Sequence, residues 1–271
     1  DTLVVNGDAV DRGELKEWSE FTRRFDEEVR GHYQLVLFTV GNHEYHYGGT
    51  TTPDQFAQRF LEQTRMDRLW GETKVGPLTV LWIGSEGYLY NRYKGSGPYM
   101  EMWEEQLGWL EERLEHHWHE GNPTVLFSHH VLPDTVTGTR TPSTANDFGR
   151  HRERVERALG DFPPTLLVTS HTPWSVRADD WAVERTFGSP AGSVTIVNSG
   201  AVTTQYGPSE DGDEEPIPGQ PPSALKIVLY RDHLWVRALE FGEGVVEVVN
   251  EVRIPLRTAA GPVQRETSAS S

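Results

Sequence analysis

Hydrophobic and polar positions along the chain alternate between short apolar runs and longer segments with helical spacing. Apolar runs of strand length cover residues 3–5, 33–40, 78–85, 122–130, 164–173 and 194–200. Segments whose apolar residues recur every three or four positions cover residues 14–30, 54–65, 101–118 and 149–159. Alternation of strands with helices in this way predicts a layered α/β fold.

The second half of the chain adds two further patterns. Residues 224–241 alternate apolar and polar positions, which predicts antiparallel strands. Residues 206–223 are rich in Gly, Pro and acidic residues without an apolar period, so we predict a mobile loop there. We predict a single domain over residues 1–257, followed by a disordered tail over 258–271.

Polar side chains follow four of the apolar runs, at the point where each run ends. These side chains are Asp8 and Asp11, Asn42 and His43, His129 and His130, and His171. In layered α/β sheets, functional groups collect at the carboxyl ends of strands, so we expect these ends to meet. Carboxylate, amide and imidazole ligands together suit a borderline cation such as Mn²⁺, Fe²⁺ or Zn²⁺. Each strand end taken alone also has a plainer interpretation, as a turn or as a hydrogen-bonded histidine pair.

Charge and composition narrow the classes of partner. The formal net charge is −16, which argues against a nucleic-acid backbone or an anionic membrane as the main partner. An anionic substrate therefore requires a local positive charge, which a bound cation would supply. The chain has no cysteine, which excludes disulfides and thiolate-bound zinc. No stretch reaches 18 apolar residues and no targeting signal opens the chain, so we expect a cytoplasmic location. The oligomeric state is not predicted.

Four motifs carry a resemblance to a known family. The segments GDAVDRG (7–13), GNHE (41–44), SHH (128–130) and SHTP (170–173) resemble the successive motifs of the calcineurin-like metallophosphoesterase superfamily, in the same order. The resemblance spans residues 3 to about 200. The first two motifs are similar to those of serine/threonine protein phosphatases and bacterial dinucleoside tetraphosphatases, whereas the double histidine is closer to a bacterial phosphodiesterase-like branch. The resemblance implies a two-sheet mixed β-sandwich flanked by helices, in four layers.

The resemblance also implies a metal centre. Asp8 would bridge two metals, and Asn42, His129 and His171 would complete the coordination of the second metal. The metals implied are divalent ions of manganese, iron or zinc. The family mechanism is hydrolysis of a phosphoester by metal-bound hydroxide.

Three further residues receive roles from the same resemblance. His43 would be the general acid that protonates the leaving group, with Asp11 orienting its ring. Arg12 would contact phosphate oxygens with its planar set of donors. Trp174 and Asn198 follow predicted strands near the site, but we predict no chemical role for them. Loops 45–53, 86–100 and 132–148 are predicted to form a partly aromatic rim that sets substrate selectivity.

The chain also departs from the family pattern. The first family motif, an Asp-x-His on a preceding strand, occurs nowhere in the 271 residues, and the first apolar run begins almost at residue 1. We therefore expect a truncated N-terminus and a depleted first metal site, with one metal bound or two bound weakly. The predicted function is hydrolysis of a phosphomonoester or phosphodiester, whose substrate is a phosphorylated small molecule, a nucleotide or a phosphoprotein. The alternatives are an impaired relative that binds a phosphorylated ligand or protein without turnover, and a structural domain without metal.

Overall fold

The computed structural model describes residues 1–45, 51–88, 99–142, 144–189 and 191–257. The helices are α1 (Leu15–Glu28), α2 (Pro53–Thr64), α3 (Glu104–Glu120) and α4 (Arg152–Asp161). The first ten strands are β1 (Thr2–Asn6), β2 (Leu35–Thr39), β3 (Gly71–Val75), β4 (Leu78–Ile83), β5 (Gly87–Tyr88), β6 (Met100–Glu101), β7 (Thr124–Ser128), β8 (Leu166–Thr169), β9 (Ala182–Arg185) and β10 (Val194–Asn198). The last five are β11 (Gln205–Pro208), β12 (Glu214–Ile217), β13 (Ser223–Leu229), β14 (His233–Gly242) and β15 (Val245–Pro255).

Local sequence explains where helix α2 begins and where helix α3 ends. Helix α2 begins with a capping box, in which the Thr52 hydroxyl accepts from the Gln55 backbone N–H and the Gln55 side chain accepts from the Thr52 N–H. Pro53 occupies the first helical position, where its missing N–H costs nothing. Helix α3 ends before Gly121, whose φ of 67° is in the left-handed region that glycine adopts at little cost. None of the described helices combines the length and apolar character needed to cross a membrane.

The central layer is a six-stranded sheet in the order β3-β4-β7-β8-β10-β9. Strands β4, β7, β8 and β10 run parallel to one another, and β3 and β9 pair antiparallel at the two edges. Because parallel strands end at the same rim, the loops after β7 and β8 are brought side by side.

Two smaller groups of strands pack on the inner face of this sheet. One is the parallel pair β1 and β2, and the other is the antiparallel sheet β13-β14-β15. Leu37 and Val236 from these groups pack with Trp82, Phe127 and Val168 of the six-stranded sheet in one apolar cluster. This cluster is the interior of a β-sandwich.

Helices cover the sandwich on both sides. Trp18 of α1 and Phe60 of α2 pack on Phe38 of β2, while α3 and α4 contribute Leu110 and Leu159 to the outer face of the six-stranded sheet. Alternate residues of the same strands supply the two faces, as expected for strands buried on both sides. The predicted mixed sandwich flanked by helices is therefore confirmed.

The prediction of a mobile loop over residues 206–223 is wrong in one respect, because part of this segment forms strands. Strands β11 and β12 form a hairpin there, with Gln205 opposite Ile217. Tertiary contacts hold this hairpin: the Tyr206 N–H donates to the Pro173 carbonyl (2.8 Å), and the Gln205 amide donates to the Pro221 carbonyl (2.6 Å). Strands of four residues containing Gly and Pro have no periodicity to detect, which explains the error. The predicted tail, 258–271, lies outside the described residues, and the single-domain assignment stays a prediction.

Candidate metal centre

The turn after β1 is shaped by close contact with β7. Gly7 has a φ of 84°, and a Cβ at this position would lie 2.2 Å from His129 Nδ1. Only glycine permits such an approach. Asp8 follows with a φ of 53°, a backbone conformation that few residues other than glycine adopt. The end of β1 is thus bent sharply against the histidine that follows β7.

The predicted metal ligands meet at this turn. Asp8, His129 and His171 each offer a ligand atom, and these three atoms lie within 4.8 Å of one another. His129 Nε2 lies 3.1 Å from Asp8 Oδ2 and 3.2 Å from Asn42 Oδ1. The ring centroids of His129 and His171 are 5.3 Å apart. The ends of β1, β2, β7 and β8 therefore converge, as their pattern of polar residues predicted.

The orientation of the His129 ring is set by a main-chain group. His129 Nδ1 lies 2.8 Å from the Asn6 carbonyl oxygen, which can only accept a hydrogen bond. Nδ1 therefore carries the proton and donates it to this carbonyl, and Nε2 faces Asp8 and Asn42. Hydrogen bonding at one ring nitrogen is the usual way in which proteins orient a metal-binding histidine.

The ionisable side chains of Asp8 and His129 shift each other's pKa values. Burial alone would raise the pKa of Asp8, but the His129 imidazolium outweighs burial and holds this pKa well below its usual value. Burial likewise would lower the pKa of His129, but the Asp8 carboxylate raises it to about 9. Asp8 and His129 therefore form an ion pair in which the His129 ring is buried and the Asp8 side chain is partly exposed, and a divalent cation bound here would replace this attraction.

His171 has an open ring nitrogen. Its backbone φ is 51°, its Nε2 lies 3.7 Å from Asp147 Oδ1, and its buried Nδ1 has no hydrogen-bond partner in the described part of the chain. A buried polar atom without a partner is rare and requires an explanation. A divalent cation bound by Asp8, Asn42, His129 and His171 would supply that partner, and this donor set fits a borderline metal.

The predicted general acid lies beside the metal ligands. The His43 N–H donates to Asp8 Oδ1 (3.0 Å), so the two residues are held together through the main chain. His43 Nδ1 lies 2.8 Å from the Asp11 carbonyl oxygen and 3.4 Å from its carboxylate. The main chain of Asp11, more than its side chain, orients the ring. Arg12 is exposed at the rim, with its guanidinium Nε 3.3 Å from Asp11 Oδ2.

Glu44 was missed in the sequence, although it is the last residue of the GNHE motif. Its carboxylate is 1% exposed and accepts from the backbone N–H groups of Asp8 (3.0 Å), Ala9 (2.7 Å) and Gly41 (2.6 Å). Burial raises the pKa of Glu44 to about 7, and the Asp8 charge adds to the shift. Glu44 therefore joins the turn after β1 to the turn after β2, and so fixes where Asp8 and Asn42 lie.

We expect Glu44→Gln to lower the free energy of unfolding by about 1–3 kcal/mol, because one buried N–H would face an NH₂ group instead of an oxygen. Urea denaturation of both proteins measures this change, and metal affinity should fall with it. Glu105→Gln, at an exposed position of α3, is the matched control and should be neutral. Equal stability of Glu44→Gln and the control would contradict the structural role of Glu44.

Two more residues lie near the centre: His130, which was among the strand-end residues but received no role from the sequence, and Asp147, which was not predicted. His130 is buried, its ring lies 5.7 Å from that of Tyr88, and neither ring nitrogen has a hydrogen-bond partner among the described residues. Burial lowers the pKa of His130 to about 3, so its ring is neutral at pH 7. Asp147, also buried, accepts from the Val131 N–H (2.7 Å) and faces His171. Nothing in the pattern around Asp147 indicated this position.

The predicted selectivity loops are only partly described, since residues 46–50, 89–98 and 143 lie outside the described ranges. Trp174 and Asn198, for which no role was predicted, are linked by a hydrogen bond from the Asn198 amide to the Trp174 carbonyl (3.3 Å).

Comparison with known proteins finds one family model and several solved structures that match this chain. The family model for calcineurin-like phosphoesterases matches residues 1–192. The structure is similar to that of a dimetal phosphatase from Danio rerio, with a TM-score of 0.60 and 14% identity over 94% of this chain and 84% of that chain. It is also similar to a purple acid phosphatase from yellow lupin (Lupinus luteus) seeds, with a TM-score of 0.56 and 14% identity over 94% of this chain and 46% of that chain.

No curated protein matches the chain by sequence. At 14% identity, the two structural likenesses show a shared fold and nothing further. The family model, in contrast, covers more than half of the chain and includes the four strand ends that form the centre. The chain therefore belongs to the calcineurin-like phosphoesterase family.

Proposed function

We propose that this protein hydrolyses a phosphoester in a reaction that depends on a divalent cation held by Asp8, Asn42, His129 and His171. The observation that carries the proposal is the convergence of ligand atoms from Asp8, His129 and His171 within 4.8 Å, in a chain of this family. A bound divalent cation supplies Lewis-acid polarisation of the phosphoryl group and lowers the pKa of coordinated water. Mn²⁺ is the ion we propose to test first.

His43 is the group that would protonate the leaving oxygen. Its Nδ1 donates to the Asp11 carbonyl, and Nε2 is the nitrogen that would transfer a proton. The hydrogen bond from its N–H to Asp8 keeps the ring next to the metal ligands. The chain would thus hold the proton donor beside the metal ligands without using the imidazole itself as a ligand.

Arg12 would bind the phosphoryl oxygens. Its guanidinium lies at the exposed rim beside Asp11, and its backbone N–H donates to Glu17 (2.8 Å). The planar donors of arginine match phosphate oxygens in pairs. In a protein of net charge −16, this cation and the bound metal would provide the local attraction that an anionic substrate requires.

A second candidate function is binding of a phosphorylated ligand or protein without turnover. The observation that favours it is that Asp8, His129 and His171 form one metal group in the described residues, whereas the family mechanism uses two metals. Metal content and turnover, measured on the same preparation, decide between the two functions.

The test begins with protein stripped by chelator and reconstituted with Mn²⁺. Metal content is measured by elemental analysis, and turnover with p-nitrophenyl phosphate and bis-p-nitrophenyl phosphate. At least one cation per chain with metal-dependent turnover supports the hydrolase. Bound metal without turnover of either ester favours the binding protein, and no bound metal contradicts both the ligand assignment and the proposed function.

A further inference from the structure

Strand β15 leaves one edge unpaired in the described part of the chain. It covers 11 residues, Val245–Pro255, and among the described strands it pairs with β14 alone. Val245, Val246 and Val248 on this strand are all exposed. A long exposed edge is a template on which another strand can pair. The metal centre, which lies at the ends of β1, β2, β7 and β8, does not account for this edge.

The hydrogen bonds at the end of β15 show which main-chain groups face the free edge. The Leu256 N–H, directly after the strand, donates to the carbonyl of Asp232, the residue before β14 (2.8 Å). The main-chain groups of an antiparallel strand point to its two sides in alternation, so Val252, four residues earlier, also faces β14. Glu251 and Arg253 therefore direct their N–H and C=O groups away from β14, to the free edge.

A proline and a β-bulge limit the stretch on which a further strand can pair. Pro255 faces the same edge as Arg253 and has no N–H to donate. The register of β15 against β14 shifts between Ala238 and Leu239, where Val249 is the extra residue. Regular pairing on the free edge is therefore confined to residues 250–254.

Glu251 and Arg253 place opposite charges on one face of this stretch. Residues two apart in a strand share a face, and both of these residues are exposed. Trp235 of β14 contacts both side chains. Its Nε1–H donates to the Glu251 carboxylate (3.2 Å), and the Arg253 guanidinium lies 4.9 Å from the centroid of its ring. The free edge thus carries one acidic and one basic side chain, each next to an outward-facing pair of main-chain groups.

The edge is complementary to a second, antiparallel copy of itself. When a two-fold axis passes through Val252, Glu251 of each copy lies opposite Arg253 of the other. Each such pair exchanges both of its main-chain hydrogen bonds, and its side chains carry opposite charges on one face. An axis through Glu251 or through Arg253 would instead place that residue opposite itself, and like charges directly opposite are unfavourable. Charge therefore selects one register.

We propose that the protein forms a homodimer in which the free edges of β15 pair around Val252. The dimer joins the three-stranded sheets of two molecules into one continuous sheet. Arg257, two residues after β15, donates to the carbonyl of Ser193, the residue before β10 (3.2 Å). Because β10 runs parallel to β8, the paired stretch ends at the rim opposite the metal centre. The inference does not depend on the proposed function.

The first test measures molecular mass against protein concentration by sedimentation equilibrium. The wild type should be a dimer that dissociates on dilution. Glu251→Arg and Arg253→Glu each place like charges opposite one another, and each should weaken dimerisation at least about tenfold. The double variant restores opposite charges in the same register and should recover most of the affinity. Glu243→Arg, at an exposed position in the turn after β14, is the matched control and should have no effect.

A disulfide tests the register directly, because the chain has no cysteine. Val252→Cys places two thiols across the two-fold axis, in a pair whose Cα atoms would lie about 4.5 Å apart, within the span of a disulfide. Val246→Cys is the control, since Val246 is more exposed than Val252 but lies outside the paired stretch. We expect Val252→Cys to cross-link faster on oxidation, whereas random collision would favour the more exposed position.

Several results would overturn the proposal. A wild-type protein that remains monomeric at about 1 mM would do so, and would leave the edge to a strand of a different protein. A dimer that neither Glu251→Arg nor Arg253→Glu weakens would show that another face joins the copies. A double variant that stays monomeric, with a circular dichroism spectrum like that of the wild type, would reject the register. Faster cross-linking of Val246→Cys than of Val252→Cys would reject it as well.

Discussion

Replacement of His129 by alanine is expected to remove metal binding and turnover together. The ring supplies the central ligand atom, since its Nε2 lies 3.1 Å from Asp8 Oδ2 and 3.2 Å from Asn42 Oδ1. Even contacts that only orient a ligand contribute about 10–100-fold to metal affinity, so loss of the ligand itself should cost at least about 100-fold. Calorimetric titration with Mn²⁺ measures the affinity, and turnover is measured on the same samples.

The control for this variant is His32→Ala, which removes an exposed histidine outside the four motifs. This variant should bind metal and turn over substrate as the wild type does. Unchanged Mn²⁺ affinity in His129→Ala would contradict the assignment of the centre, whatever happens to activity. The affinity is therefore the decisive readout, because an unfolded or distorted protein would lose activity for less specific reasons.

Replacement of His43 by alanine is expected to lower kcat by about 10²–10⁴-fold while metal binding persists, because the ring is a proton donor and not a ligand. The loss should depend on the leaving group. An alkoxide needs its proton during bond cleavage, whereas p-nitrophenolate leaves without one. We therefore expect a much larger loss with an alkyl phosphoester than with p-nitrophenyl phosphate.

The matched control is His233→Ala, at a histidine that contacts Asp232 on the surface of the molecule. Its kcat should be unchanged with both esters. An equal loss with the two leaving groups in His43→Ala would argue that His43 organises the site rather than donating a proton. Loss of metal from His43→Ala would argue that the imidazole is itself a ligand.

Strong periodicity predicted the fold well where elements are long or deeply buried. Helix α3 and the strands β2, β4, β7, β8 and β10 appear where the apolar pattern placed them, within a few residues at each end. The short edge strands β3 and β9, the β11–β12 hairpin and the longer, largely exposed strand β15 were missed. Edge strands of four or five residues bury little surface, and their pairing depends on neighbours that are distant in sequence.

Some residues of the candidate site could likewise be predicted from the sequence, and others could not. Asp8, Asn42, His129 and His171 could be selected because each follows an apolar run, and because parallel strands end at one rim. Asp147 could not be selected by that argument, and for Glu44 the argument gave a place in the GNHE motif but no role. Glu44 acts through three backbone N–H groups of two different turns, and Asp147 reaches His171 from a loop without periodicity.

The sequence by itself determined the layered α/β class, the order of the strands that end in polar residues, and the residue types that can bind a divalent cation. These features are local, since they depend on periodicity and on the side chain that follows each strand. Only the tertiary structure decided that Asp8 and His129 form an ion pair and that Glu44 holds both turns. Those contacts join residues dozens of positions apart, and they are set by how the layers pack, which no local pattern in the chain encodes.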